Sequence, residues 1–289
     1  MKRTLTIVLA LAALVACGET QKGSYGTNVT ETTGNESDLL KAGADALWSE
    51  RDDPEKLKLA LASYEQVAAN NPDREVLLKL VRGYYFLGDG HLAEEADKLE
   101  AWDKGVSWGK QCMGLNAEFA ALVEKGDEDE GTAARVLTVE DVPCTYWTAS
   151  AFGKWGKMQG LTTILKYKDT IYAWMARIEE LDPTYFYTGP TRYFAAYYSA
   201  LPSFAGQDLP QSQELFIAAI AANPDHLGNR VLYADYWATR TQDGAVFDEQ
   251  LDYVLNADPN VIEGLGPEQR AEQRKAEALM AKRDDLFLE

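Results

Sequence analysis

Four of the chain's five Asx-Pro dipeptides, Asn71-Pro72, Asp182-Pro183, Asn223-Pro224 and Asp258-Pro259, punctuate it at matching positions and constrain its fold more than any other feature. Proline disfavours helical geometry at the residue before it, so each pair is a helix stop. Eight residues before the four prolines stand Tyr64, Met175, Phe216 and Leu251, and five before stand Val67, Ile178, Ala219 and Val254. All of these are apolar. The position four before holds Ala68, Glu179, Ile220 and Leu255, with one polar exception. Side chains at such spacings share one helix face, so each segment ends in an amphipathic helix with its apolar stripe in the same register. From Asp38 onward apolar residues recur at three- and four-residue spacing, as in Leu57, Leu61, Tyr64, Val67 and Ala68, and strand-like alternation is not sustained anywhere.

The last three prolines lie 41 and 35 residues apart, and the first gap of 111 is three times 37, which fits a repeat of 34 to 41 residues. The pattern resembles the tetratricopeptide repeat, whose second helix carries an aromatic and then a small residue before a closing proline. The expected fold is therefore all-α, an α-solenoid of tetratricopeptide-like helical hairpins. The final segment starts with Pro267 and carries Arg270, Arg274, Lys275 and Lys282, a polar face suited to capping the array.

Before the helices come two segments of other character. Lys2 and Arg3 precede an apolar run from Leu5 to Ala16, too short to span a bilayer, which needs about twenty residues. This is the layout of a secretory signal peptide over 1–16. It ends in Leu14-Val15-Ala16-Cys17-Gly18, which resembles the bacterial lipobox and marks Cys17 as a lipid anchor to the membrane. No Asp follows Cys17, so the periplasmic face of the outer membrane is expected rather than the inner membrane. Residues 17–37 are Thr, Gly, Ser, Asn and Glu with little apolar content and read as a flexible tether of about 25 Å mean reach. Residues 38–289 form a single helical repeat domain.

Charge excludes one class of partner. The chain holds 46 acidic and 28 basic residues, a formal charge of −18, and loss of residues 1–16 would remove two basic and no acidic groups. Such a surface repels phosphate backbones, so no nucleic-acid partner is expected. Cys112 and Cys144 would sit in an oxidising compartment, where they can form a disulfide or pack as two buried thiols.

No enzyme is indicated. His91 and His226 are the only histidines, and each reads as a surface or cap residue. Gly126-Asp127-Glu128-Asp129-Glu130-Gly131 lacks EF-hand spacing and reads as a solvated loop, so no metal or cofactor is expected. Aromatics are more informative: Tyr146, Trp147, Trp155, and a run from Tyr185 to Tyr198 in which Tyr193 pairs with Tyr197, and Phe194 with Tyr198, on helix faces. Two aromatic stripes exceed what one core face needs, so one stripe can line a cavity or both can fill the core. Pro190 sits at a helix start that places Arg192 near a positive helix end, where it can meet a carboxylate ligand or one of the chain's own acids.

At these residues the chain resembles the T-component family of tripartite ATP-independent periplasmic (TRAP) transporters, the TatT lipoproteins. Three stretches carry the resemblance: Asp141-Val142-Pro143-Cys144-Thr145-Tyr146-Trp147 with Trp155; Gly189-Pro190-Thr191-Arg192 through Tyr198, Pro202 and Asp208; and Phe216 through Pro224 with Asn229-Arg230 and Ala234. Thr188 and Gln207 stand where the family pattern leads one to expect Gly. The resemblance spans about 38–289 and implies a periplasmic, solute-handling lipoprotein with an apolar cleft. It also implies a capacity to form a homotrimer and association with the transporter's P-type solute-binding protein. Tyr146, Trp147, Trp155, Arg192, Tyr193 and Tyr197 are the expected ligand-binding residues, for a hydrophobic small molecule such as a carboxylate or lipid. The alternative is an interaction scaffold at the outer membrane, whose concave face holds a partner peptide.

Overall fold

The computed structural model describes Gln21, residues 23–26 and residues 34–288. The signal peptide and Cys17 lie outside the described residues. The described chain is all-α, with no strand, and none of its helices is long and apolar enough to cross a membrane.

In order, α1 (Gly34–Ser49), α2 (Pro54–Asn70) and α3 (Arg74–Phe86) come first, and α3 runs on through a π turn (Leu87–His91). Next are α4 (Glu95–Met113), α5 (Ala117–Glu124), the short α6 (Glu130–Ala133), α7 (Val142–Met158) and α8 (Leu161–Leu181). Then follow α9 (Tyr185–Ala200) and α10 (Leu209–Ala222). α11 (Leu227–Leu232) passes through a second π turn (Tyr233–Ala238) into α12 (Thr239–Thr241), and α13 (Gly244–Asn256), α14 (Gly266–Met280) and α15 (Arg283–Leu286) complete the chain. Sequential helices pack as antiparallel neighbours: α1 on α2, α3 on α4, α7 on α8, α9 on α10, and the second π turn on α13.

Three of the four Asx-Pro stops act as the pre-proline restriction requires, while at the fourth α13 already ends at Asn256, with Ala257 as its cap, before Asp258 is reached. Asn71, Asp182 and Asn223 each terminate a helix with φ between −153° and −139° and ψ between 73° and 88°. The repeat register is a burial register. Tyr64, Phe216 and Leu251 are completely buried and Met175 nearly so, and Val67, Ile178, Ala219 and Val254 are at most 2% exposed. The buried apolar side chains form two clusters, one around α1–α8 and one around α10–α13, with Leu215 of α10 packed against both.

Two features differ from the expectation. The tether is not free throughout: Gln21 and Tyr25 are buried against the body, and α1 begins at Gly34. The last long helix does not offer its polar face to solvent as a cap. α14 returns to the first half of the chain, where Ala271 joins the first cluster and the polar residues form ion pairs. Glu268 receives Arg51 at 2.7 Å and Arg82 at 2.8 Å, Arg270 reaches Asp52 at 2.5 Å, and Lys275 reaches Asp89 at 2.5 Å. The array therefore closes on itself. Local periodicity carries no information about such a contact, because its partners are about two hundred residues apart in sequence.

Candidate functional site

Closure leaves two cavities that share a wall. One, of about 360 Å³, lies between α7, α8, α9 and the second π turn. The other, of about 370 Å³, lies between the first π turn, α7, α11 and α14. Tyr85, Tyr146, Lys154, Arg192 and Leu232 face both.

The shared wall is built around Arg192. α9 opens with three consecutive residues in left-handed geometry, Phe186 (φ 44°), Tyr187 (φ 58°) and Thr188 (φ 57°), before the helix proper starts at Gly189-Pro190. Each such non-glycine residue costs about 1–2 kcal/mol, so the turn persists only because its surroundings hold it. Arg192 supplies part of that hold. Its Nη1 and Nη2 donate to the carbonyls of Tyr187 (3.2 Å) and Phe186 (3.3 Å). Thr188, which replaces an expected Gly, accepts from Asn223 Nδ2 at 3.1 Å.

Arg192 also donates to Tyr146 Oη at 2.7 Å and to Asn229 Oδ1 at 2.8 Å. Asn229 Nδ2 in turn donates to the Ala219 carbonyl at 3.0 Å. The three sequence stretches singled out above thus converge on one guanidinium. Gly189 fits this junction because a Cβ there would stand 2.5 Å from the Tyr146 ring. All four of these acceptors are neutral, so Arg192, only 6% exposed, is a buried cation held by dipoles rather than by a carboxylate.

In the first cavity, Tyr193 and Tyr197 stand side by side, ring centroids 5.9 Å apart, facing Ile164, Leu165 and Ile171 of α8. Burial pushes both phenols above their ordinary value, so each is an O–H donor at neutral pH. The companion stripe behaves differently: Phe194 is buried in the core. Among the described residues the cavity's charged lining is Lys154, Lys157, Lys168 and Arg192, with no carboxylate, in a chain of net charge −18.

The second cavity is more polar. Trp147 lines it and packs edge-on to Phe186 at 4.6 Å, and the Arg82 guanidinium lies over the same Phe186 ring at 5.4 Å. His226 is not a surface residue: it is the N-cap of α11, 6% exposed, stacked on Tyr187 at 5.1 Å, with no partner for Nδ1. Burial, and then the nearby Arg192 charge, hold its imidazole well below the ordinary value. The neutral form is therefore favoured by folding. This contribution is complete above about pH 6.5 and is lost as pH falls through that value towards the lowered one. Unfolding measured between pH 7 and 5 should show a loss of at most about 1.4 kcal/mol per pH unit from this site. His226→Gln should flatten that slope; an unchanged slope would remove His226 as its source.

Of the residues expected to bind ligand, Tyr146, Trp147, Arg192, Tyr193 and Tyr197 meet at these cavities, whereas Trp155 does not. Trp155 lines neither cavity and packs against Phe152 at 5.8 Å and Tyr167 at 6.1 Å in the core. It directly follows Lys154 of the shared wall, and the 100° step around α7 between the two residues turns it into the α8 interface. Cys112 and Cys144 are joined as a disulfide between α4 and α7, with Cα atoms 5.6 Å apart. The acidic loop is spent locally, since Asp129 caps α6 through Gly131 and Thr132, Glu130 pairs with Lys110, and Glu128 with Arg135.

Sequence reading missed the Asp89–Lys154–Lys275 group at the floor of the second cavity. Asp89 Oδ1 receives Lys154 at 2.6 Å and its Oδ2 receives Lys275 at 2.5 Å. One signal was visible: Lys154 is a charge inside an otherwise apolar helical stretch. Both π turns also contribute to the cavities, through Asp89 in one and through Asp235 and Tyr236 in the other, as such insertions often do at functional sites.

The family model described as TRAP transporter T-component matches residues 92–287, which include α4 through α15 and all three stretches that converge on Arg192. No curated protein matches the chain.

Proposed function

The chain belongs to the TRAP transporter T-component family and is an accessory component of a TRAP transport system, and from that premise we propose that it binds an amphipathic, hydrophobic small molecule and passes it to the P-type solute-binding protein. One observation carries this reading: an apolar cavity of about 360 Å³ whose charged lining groups, among the described residues, are all cationic. Ligand pockets of this kind combine a greasy wall with a few placed polar groups. Ile164, Leu165, Ile171 and the tyrosine rings suit a chain or ring system, and Arg192 with the neighbouring lysines suits a carboxylate head.

Cys17 serves in this reading as the lipid anchor, at the periplasmic face of the outer membrane, and the homotrimer belongs to the same proposal. The rival scaffold reading needs an open concave groove; the return of α14 to α3 and the first π turn, through Arg82–Glu268 and Lys275–Asp89, supports the enclosed-cavity reading over it.

Native mass spectrometry of the chain from Gly18 onward, purified without detergent, followed by denaturing extraction, tests the proposal. A stoichiometric hydrophobic small molecule is the expected result. Replacing Tyr193 and Tyr197 by Ala should abolish its retention while circular dichroism keeps the helical signal. An empty protein that also fails to take up any amphiphile offered, or full retention by the double variant, would sink this assignment.

A further inference from the structure

The segment between the lipobox and α1 is partly docked, and the place where it docks is informative. The Gln21 backbone N–H donates to Tyr167 Oη of α8 at 3.3 Å, and its Nε2 donates to Ser107 Oγ of α4 at 3.4 Å. At Gly23 a Cβ would come within 3.0 Å of the Lys110 side chain, so the strap lies flat on α4. Tyr25, 6% exposed, packs edge-on to Phe119 of α5 at 5.2 Å beneath the Lys110 ammonium, 5.5 Å from its ring. Its carbonyl sits on Gly114, where no side chain would fit. Burying one such ring contributes about 1.5–3 kcal/mol, enough to keep a short strap in place.

Resting on the reading of Cys17 as the lipid anchor, we infer that this strap turns the tether into a short leash that holds the α4–α8 face of the protein against the lipid surface, with the mouth of the apolar cavity towards the leaflet. Only Gly18, Glu19 and Thr20 separate Cys17 from Gln21, a stretch that covers at most about 14 Å. The docked face is built for such a neighbour at its anchor end. Leu161 of α8 is 54% exposed, lies on the cavity rim, and precedes Tyr167 by six residues, about 9 Å along the helix. Lys157, on the cavity lining, and Lys166, whose ammonium lies over the Tyr167 ring at 4.9 Å, are exposed. Acidic groups gather at the other end of the strap, where a Cβ on Gly26 would lie 3.6 Å from Glu124 and where residues 127–130 form their loop. The strap thus runs from an apolar and basic end, beside the anchor, to an acidic end away from an anionic leaflet. An amphiphile could pass between leaflet and cavity over a short path that avoids bulk water.

The test uses the acylated full chain, purified from membranes and reconstituted in phosphatidylethanolamine–phosphatidylglycerol vesicles containing headgroup-spin-labelled lipid. A fluorophore is attached at Lys166→Cys or, as a control, at Val261→Cys, which is exposed on the loop before α14. Quenching at 166 several-fold above that at 261 is expected. Inserting a Gly/Ser segment of about fifteen residues after Thr20, which leaves every described contact untouched, should lower quenching at 166 several-fold, because the docked strap then holds the face at longer reach from the leaflet. Equal quenching at 166 and 261, or no response to the insertion, would overturn the inference. Intact mass separates the two failures: an unacylated Cys17 removes the anchor and the inference with it, whereas an acylated chain with equal quenching removes the inference alone.

Discussion

Asp89→Asn should destabilise the protein by about 3–5 kcal/mol, the largest effect expected of any single conservative change. Asp89 lies in the π turn at the end of α3 and receives two ammonium groups, Lys154 from α7 and Lys275 from α14. Burial alone would push its carboxyl up, but the two lysine charges outweigh that and hold it well below the ordinary carboxylate value. An amide in its place would leave Lys154 without its carboxylate and Lys275 with Glu272 alone, at 2.8 Å, to balance it. The cost falls on closure, because Lys275 is one of the side chains that bring α14 back to the first half. Chemical denaturation should report the loss, and hydrogen exchange should show residues 266–280 opening before the rest. The pH dependence has a definite sign. A depressed carboxylate stabilises at and above its unfolded value, near pH 4, and its contribution fades as pH falls below that. The gap between the wild type and Asp89→Asn should therefore be constant from pH 5 to 7 and shrink in stronger acid. A loss under about 1 kcal/mol at pH 7 would mean that α14 is held by its other contacts.

That prediction could not have been framed from the sequence, and the reason is physical. Helix stops and apolar registers are local properties: Asn71-Pro72 ends a helix wherever it stands, and Tyr64 and Val67 share a face with no reference to distant residues. The all-α class and the burial of every residue eight and five before the prolines were legible for that reason. The family resemblance was legible too, because its stretches are contiguous. What could not be read is what joins stretches far apart. Arg192 was expected near a positive helix end, but its acceptors come from Tyr146, Asn229 and a left-handed turn whose φ values no propensity favours. Trp155 and Trp147 look alike in sequence, yet the eight residues that separate them on α7, two turns and about 80° of net rotation, decide that one faces a cavity and the other the core. Nothing in the polar composition of the tether marks Tyr25 for burial, and only the groove between α4 and α5 makes it a buried side chain.

Removal of the Cys112–Cys144 disulfide should be the second large effect. The bridge closes a loop of 32 residues, for which the chain-entropy argument gives about 3–4 kcal/mol. Both positions are fully buried, so paired replacement by Ala leaves no polar side chain stranded but adds the cost of the small cavity left by two sulfurs. The bridge ties α4 to α7 two residues before Tyr146, and α4 also carries Ser107 and Lys110, the floor of the strap. Its loss should therefore act on both the cavity wall and the docking of Gln21 and Tyr25. Guanidinium unfolding of the Cys112→Ala/Cys144→Ala chain, compared with the oxidised wild type, should show the midpoint fall with little change in slope. Reduction of the wild type with a strong thiol should reproduce that fall, since the same constraint is removed without a change of volume. A double variant as stable as the oxidised chain would show that the packing of α4 against α7 already restricts the unfolded ensemble as much as the crosslink does.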